Sequence, residues 1–537
     1  MQLKLPFEPI LLVQTLTRAG FEAYLVGGAV RDLLIQSFQQ ENDTPVLVTD
    51  YDLTTNATPE QIRAVFPENF YENQFGTVSI THAEWLTQLQ NSGYVLPGET
   101  MQSGLQFTTD DRENRIIDLL SATKVHVSLK PQTMPDDGVV SQADQTFLAH
   151  PFEITTYRSE GLYDDHRRPS SVSWGTTLTE DLTRRDFTVN AIALKINPDW
   201  FAQNVQTGVE IPTTWTLTDQ DFELLDPHHG LQDLAVRSIT AVGDANTRFQ
   251  EDALRMLRAV RLSVQLGFKI EEKTFAAIAQ NAQLLQHVSL ERIRDEFLKM
   301  LSSNDPRGAI VLLDETHLLE QFLPEVLEGK GVQQSGHHTT DVWTHSLDAL
   351  ASCPSSDPIV RLATLLHDVA KPATAQISGG AVTFYNHEII GSRMASKIGR
   401  RLRLSNQEVD RLFLLVRQHM FHYQPHNTDA SVRRFMRKVG LENIDDILDL
   451  READRLGSNA RKTSWRLEEF KDRMIEQLNQ PLDVTDLALN GHDLMEALSL
   501  KPGPILGKIL HELFEMVLEN PEFNTKETLI EKAKELL

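Results

Sequence analysis

The feature that most restricts this chain is a short apolar run that ends on two glycines, followed further along by two aspartates spaced one residue apart. The segment YLVGGAVRDLL carries Gly27 and Gly28, and TDYDLTTNATP carries Asp50 and Asp52. Alternate residues of a strand point the same way, so both carboxylates can reach one divalent cation. The glycines let the backbone come close to a phosphate, and Arg31, in the helix expected to follow, adds positive charge where a triphosphate would sit. Together they describe a site for nucleotidyl transfer.

At 537 residues the chain has room for about three or four domains, and its 40% hydrophobic content supports several packed cores. The single cysteine, Cys353, excludes an internal disulfide and a cysteine-based zinc cluster, which fits a reducing cytosol. No apolar stretch approaches bilayer-spanning length, and PFEPILLVQTL near the N-terminus is broken by Glu8 and lacks a basic leader. The expectation is a cytoplasmic protein without a membrane partner. A formal charge of −25 is awkward for binding RNA, but residues 393–438 hold eleven Lys or Arg against three Asp or Glu, a local net of +8. That stretch reads equally well as a solvated helical face or an RNA-facing one.

Roughly the first 200 residues mix β-like runs (YLVGG, TVSI, FEITTY) with helical ones, as an α/β domain does. From Phe222 onward the apolar spacing is helical almost throughout, and no fixed-period repeat calls for a solenoid. Two stretches interrupt the α/β part, near 36–48 and 83–150, and the second reads as an insertion that is partly a mobile loop. In EDALRMLRAVR, residues Asp252, Arg255, Arg258 and Arg261 recur every third position, which would wind them as a stripe along one helix.

Read in order, YLVGGAVRDLL, TDYDLTTNATP, FGTVSI, FEITTYRSEG, EDLTRRDFTVNAIAL and RFQEDALRMLRAVR resemble the class II tRNA nucleotidyltransferase and bacterial poly(A) polymerase superfamily. The resemblance implies Asp50 and Asp52 as catalytic ligands of Mg2+, with Glu153 as third carboxylate and Asp118 as its competitor. It implies Gly28, Arg31 and Arg185 at the triphosphate, although Arg185 could instead pair with Asp181 or Asp186. Asp252 and Arg255 match the pair that reads the incoming base, with Arg258 and Arg261 toward the phosphates. An aspartate accepts from an exocyclic amine and an arginine donates to ring nitrogen or carbonyl oxygen, which suits C and A and not U or G. The segment RSEGLYDDHRRPSSVSWGTTL resembles the flexible loop with which CCA-adding members switch from C to A.

Downstream, His345, the adjacent His367 and Asp368, and Asp454 fall in the order of the metal-dependent HD phosphohydrolases, and His387 and His419 sit where two-metal members place further ligands. Imidazoles and carboxylates suit a divalent transition metal or Mg2+. The last segment resembles the C-terminal tail of CCA-adding members, with Pro502-Gly503-Pro504 reading as a helix cap.

The expected architecture is therefore an α/β nucleotidyltransferase head at 1–205, a helical neck with the nucleotide-selecting helix at 206–330, an HD domain at 331–475 and a helical tail at 476–537. The expected function is addition or repair of the 3′-terminal CCA of tRNA from CTP and ATP, with a second phosphohydrolase site. The rivals are a poly(A) polymerase or a CC- or A-only enzyme and, from another class, an HD phosphohydrolase whose head only binds RNA.

Overall fold

The computed structural model describes residues 1–38, 46, 48, 50–67, 69–72, 76–97, 151–160, 172–174, 177–334, 340–378, 381–458 and 465–537. They fall into two compact units. The first holds the described residues up to 296 together with Val311–Gln321, and the second holds Phe297–Ile310 and the described part of Phe322–Leu537.

Eleven strands lead the first unit: β1 (Gln2–Pro6), β2 (Ala23–Val26), β3 (Asp52–Thr55), β4 (Phe70–Glu72), β5 (Thr77–Ile80), β6 (Phe152–Thr156), β7 (Arg158–Glu160), β8 (Val172–Trp174), β9 (Ala193–Ile196), β10 (Thr214–Thr218) and β11 (Phe222–Leu225). Seven of them form one sheet in the order β11-β9-β2-β3-β6-β5-β4. Within it β3 and β6 run parallel and the other neighbours antiparallel. All four residues of β2 are buried, which is why this central strand reads as an unbroken apolar run without alternation. On one face Tyr24 and Val26 pack with Tyr157, Leu182, Ala193 and Val242.

The stretch expected to be an insertion opens with a packed helix. Thr81 caps the helix His82–Asn91 through a reciprocal bond with Glu84, and Trp85 and Leu89 bury that helix's apolar side. Trp85 Nε1 donates to the Glu8 carbonyl, and the Tyr94 hydroxyl donates to Gln14 Oε1. The spacing of Trp85 and Leu89 on one face was the signal for a packed helix. Asp118 and the rest of 98–150 lie outside the described residues, as do 39–45 of the first interruption.

The helical part of the first unit runs through Ala245–Glu251, Leu254–Leu266, Glu272–Asn281 and into Leu290–Leu301. The second unit gathers Val342–Ala351, Pro358–Leu366, His387–Arg401, Asn406–Gln418 and Ile444–Gly457, then Trp465–Gln477 and three further α-helices, of which Pro504–Glu519 opens on Pro504. A second core in that unit joins Leu494, Leu513, Phe514, Val517 and Leu529. No helix among the described residues is long and apolar enough to cross a membrane.

The helix Phe7–Arg18 buries a carboxyl. Glu8 is 8% exposed and its Oε2 makes no hydrogen bond among the described residues. Burial pushes it from an ordinary 4.5 up to about 7. The folded state therefore holds this proton more tightly than the unfolded chain, and the stability it contributes is full below 4.5 and lost as pH rises through 7. Glu8→Gln is expected to match the parent's melting temperature near pH 4 and to exceed its stability at pH 8 by up to roughly 3 kcal/mol. Thermal melts of both proteins across that range check it, and a pH-independent difference would contradict it.

Candidate functional site

Strand register assembles the acidic part of the site. Val26 lies opposite Asp52, and Asp52 lies opposite Glu153, in one row across β2, β3 and β6. Side chains directly opposite share a face, and neighbouring strands are about 5 Å apart, so the two carboxylates stand side by side. Asp50 precedes the strand and is exposed, as is Glu153. Burial, the nearby Asp50 and Glu153 together push the Asp52 carboxyl up to about 7 against the pull of Arg185. The all-oxygen donor set of Asp50, Asp52 and Glu153 fits Mg2+.

The glycine turn meets this row at its edge. Gly27 has φ +76°, and a Cβ built on it would lie 3.1 Å from Arg185 Nη1 and 3.3 Å from Asp52 Oδ2. Only glycine takes this backbone without strain and leaves room for both side chains. Gly28 then starts the helix Gly28–Phe38, which carries Arg31.

A polar network holds the arginines. Arg31 donates to both oxygens of Asp32 at 2.7 and 2.9 Å and through Nη1 to Asn190 Oδ1 at 2.8 Å. Asn190 donates in turn to Asp186, whose other oxygen accepts from Arg258 Nε at 2.7 Å. Burial works against charge on Asp186, but Arg258 and Asn190 outweigh it and hold the carboxyl well below its usual range. Arg185 does form the ion pair with Asp181, at 3.3 Å, while its Nη1 faces Gly27. Asp181 is fully buried and also takes two bonds from Arg184. Asp181 and Asp186, which the sequence offered only as rival partners of Arg185, and Asn190, which motif reading passed over, hold these arginines, and all three lie within the quoted EDLTRRDFTVNAIAL.

The expected stripe on one helix is corrected at its first member. Asp252 sits in an elbow, at φ −141° and ψ 104°, between Ala245–Glu251 and Leu254–Leu266. Its Oδ1 accepts from the Leu254 amide, the short local bond that makes aspartate favour helix starts over helix interiors. Arg258 and Arg261, expected toward phosphates, are taken up by Asp186 and by Glu296, the latter at 2.7 Å. Three-residue spacing drifts around a helix of 3.6 residues per turn, so Arg255, Arg258 and Arg261 fan out to different partners. Arg255 donates to Glu251 at 2.7 Å and to the Arg184 carbonyl at 3.0 Å. Arg292, which no motif singles out, bonds both oxygens of Asp252. The ends of the segment expected to be a loop pair as the β7–β8 hairpin, while 161–171 lie outside the described residues.

The second unit brings its six expected residues together from five helices and their ends. Gly457 makes part of this possible, because a Cβ there would be 2.6 Å from the Ala349 nitrogen, and the close approach sets Asp454 against His345 one turn away. His345 Nε2 lies 3.1 Å from His367 Nε2 and 3.2 Å from Asp454 Oδ1. Asp368 is shared. Its Oδ2 lies 3.2 Å from His367 Nε2, and its Oδ1 lies 3.3 Å from His387 Nε2 and 3.8 Å from His419 Nε2. Lys371 Nζ also reaches Asp368 Oδ2, at 2.6 Å. His367, His387 and His419 each point Nδ1 at a backbone carbonyl 2.7 Å away, of Thr364, Phe384 and Val416. Donation there leaves each Nε2 with a lone pair aimed inward, the arrangement that orients imidazoles on a metal. Burial and the neighbouring His367 push His419 down to about 3, so it is neutral at ordinary pH. His345, His367 and Asp368, and Asp368, His387 and His419, form two groups able to hold a cation.

The basic stretch at 393–438 is largely consumed internally. Arg401 pairs with Glu325, Arg411 with Asp357 and Asp446, and Arg437 with Glu515, while Arg433 donates to the Leu518 carbonyl. These contacts meet part of the stretch's charge within the fold.

Comparison with known proteins bears directly on the head. Residues 23–91 and 98–240 match the poly A polymerase head domain family, residues 267–329 the family described as the "Probable RNA and SrmB-binding site of polymerase A", and residues 389–533 the family described as tRNA nucleotidyltransferase domain 2. A protein of Deinococcus radiodurans named as an A-adding tRNA nucleotidyltransferase is 35% identical over 354 residues, covering 63% of this chain and 75% of the relative. The chain belongs to the class II tRNA nucleotidyltransferase and poly(A) polymerase family. A CCA-adding enzyme of Lactococcus lactis is similar over 99% of both chains at 28% identity. The crystal structure of the Bacillus stearothermophilus CCA-adding enzyme in complex with CTP has 25% identity and a TM-score of 0.60, covering 99% of this chain and 97% of that one. This nucleotidyltransferase shares with it an α/β head followed by a largely helical region.

The Asp186–Arg258 pair gives a test of what holds the nucleotidyltransferase head together. Arg258→Met strands a buried carboxylate and is expected to cost about 3–5 kcal/mol, whereas adding Asp186→Asn should recover a large part of that loss. Urea unfolding of the parent, both single variants and the double variant checks it. Additive losses would show that the two groups do not depend on each other.

Proposed function

We propose that this nucleotidyltransferase builds or repairs the 3′-terminal CCA of tRNA, taking CTP and ATP without a nucleic-acid template. The observation that carries the reading is the row of Asp52 and Glu153 beside Gly27 and Arg185, in a chain whose full-length relative from Lactococcus lactis is named as a CCA-adding enzyme. Asp50, Asp52 and Glu153 would hold Mg2+, which supplies charge stabilisation to the attacking and leaving oxygens of an in-line displacement. The main chain at Gly27 and Gly28 admits the triphosphate closely, and Arg185 and Arg31, oriented by Asp181 and Asn190, offer it forked donors with N–H groups to spare. Asp252 accepts from the exocyclic amine of C or A and Arg255 donates to the adjacent ring position. Arg258 and Arg261 brace the frame through Asp186 and Glu296.

The experiment is to offer a tRNA lacking CCA with CTP, ATP and both, and to sequence the 3′ ends. Complete CCA from the pair is expected. Addition of A alone would favour the activity named for the Deinococcus radiodurans relative, and long A tracts a poly(A) polymerase. Asp52→Ala is expected to lose incorporation of both nucleotides by several orders of magnitude while tRNA binding stays near the parent's. Retained incorporation would refute the assignment of the acidic row.

A specific observation also favours a second activity, of the HD phosphohydrolase kind. His345, His367 and Asp368 form one group of buried donors and Asp368, His387 and His419 a second, with Asp454 Oδ1 3.2 Å from His345 Nε2, a donor set suited to divalent transition metals. When bound, such a cation supplies an activated water for phosphate hydrolysis. The proposed substrates are 2′,3′-cyclic or 2′-phosphate RNA ends. His367→Ala is expected to lower the bound metal of the full-length protein and abolish this hydrolysis, with CCA addition within a few fold of the parent. No hydrolysis by the parent with Mg2+, Mn2+ or Ni2+ would rule the activity out.

A further inference from the structure

We infer that Arg292 is a positioning residue for nucleotide selection, acting by fixing the plane of the Asp252 carboxylate. The inference rests on the reading of Asp252 as the acceptor for the base amine. Asp252 stands in the elbow between two helices, and its amide still bonds the Arg248 carbonyl at 3.3 Å. Among the described residues, its own elbow holds the side chain at one point, the Leu254 amide on Oδ1 at 3.1 Å. A carboxylate held at one oxygen swings about that contact, and hydrogen bonds weaken steeply as their angle departs from linear.

Arg292 removes that freedom. Its Nη2 donates to Oδ2 at 2.8 Å and its Nη1 to Oδ1 at 3.3 Å, a two-pronged contact between planar groups. The arginine comes from the helix Leu290–Leu301, 40 residues further along the chain. The pair is half-buried, with side-chain exposures of 31% and 19%, and ion pairs so open to water contribute little to stability. Its consequence is orientation. Arg255, the other half of the base-reading pair, is held in the same manner by Glu251 and the Arg184 carbonyl, so both members meet a base with their polar atoms already aimed.

An acceptor-only group in a fixed plane rewards an amine and penalises a carbonyl at the same place. In a loosened plane the carboxylate can turn away from the carbonyl of U or G, and the penalty falls more than the reward. Arg292→Ala is therefore expected to lower the ratio of kcat/KM for CTP over UTP by about tenfold, more than it lowers kcat/KM for CTP itself. Arg292→Lys keeps the charge but loses the fork, and is expected to hold the melting temperature while still losing discrimination.

Single-turnover addition to a tRNA lacking CCA, with CTP and UTP in competition, decides the matter when Asp252→Ala is run alongside. Loss of discrimination in Asp252→Ala, Arg292→Ala and Arg292→Lys supports the inference. Loss in Asp252→Ala alone, with both Arg292 variants at the parent ratio, overturns it and leaves the base reading intact. A raised KM for tRNA at an unchanged ratio also overturns it, making Arg292 an RNA contact. An unchanged ratio in Asp252→Ala overturns the base reading and this inference together.

Discussion

The ion pair between the buried Asp186 and the part-exposed Arg258 is the constraint on which the head's arrangement turns. Taking the Asp186 carboxylate out of water is costly, and Arg258, Asn190 and the Phe187 amide offset that cost by donating to it. Asn190 then has its Oδ1 left to accept from Arg31. One carboxylate thereby ties the helix after the glycine turn to the helix after the Asp252 elbow, and a substrate that spans the two would meet a preset distance between triphosphate donors and base-reading groups. The same pairing explains why arginines spaced as a stripe do not act as one: each has a different acid to satisfy.

The two candidate sites use opposite electrostatic strategies. In the head, burial and the neighbouring carboxylates raise the Asp52 pKa at the start of an interior strand, while arginines beside them are held off by Asp181 and Asp186. Such a surface is ready for both a hard cation and a polyanion. In the second unit, imidazoles anchored at Nδ1 and the shared Asp368 create inward lone pairs with little solvent access. That arrangement is suited to a softer metal. The chain's net charge of −25 obscures both, since the local balance within hydrogen-bond distance sets each site.

The sequence by itself determined the α/β start, the helical remainder, and most of the residues that meet. Asp52 and Glu153 came from motif order and share a row across β3 and β6, whereas Asp50 precedes β3, so the strand alternation expected for the two aspartates does not place it; His345, His367, Asp368 and Asp454 were singled out because their order is a signature of its own. The helix at 82–91 was legible too, through Trp85 and Leu89, but was lost inside a stretch read as an insertion. What only the tertiary structure decided are relations between distant residues. The pairing of Asp52 with Glu153 is a matter of register across a parallel strand pair. The break at Asp252 arises because its side chain caps the next helix instead of continuing the previous one. The partners of Arg258, Arg261 and Arg292 depend on which buried acid each guanidinium reaches, and the spent charges of 393–438 on which acids lie opposite. Spacing along a chain reports the face a residue takes on its own element; which group waits across from it is set by how the elements pack.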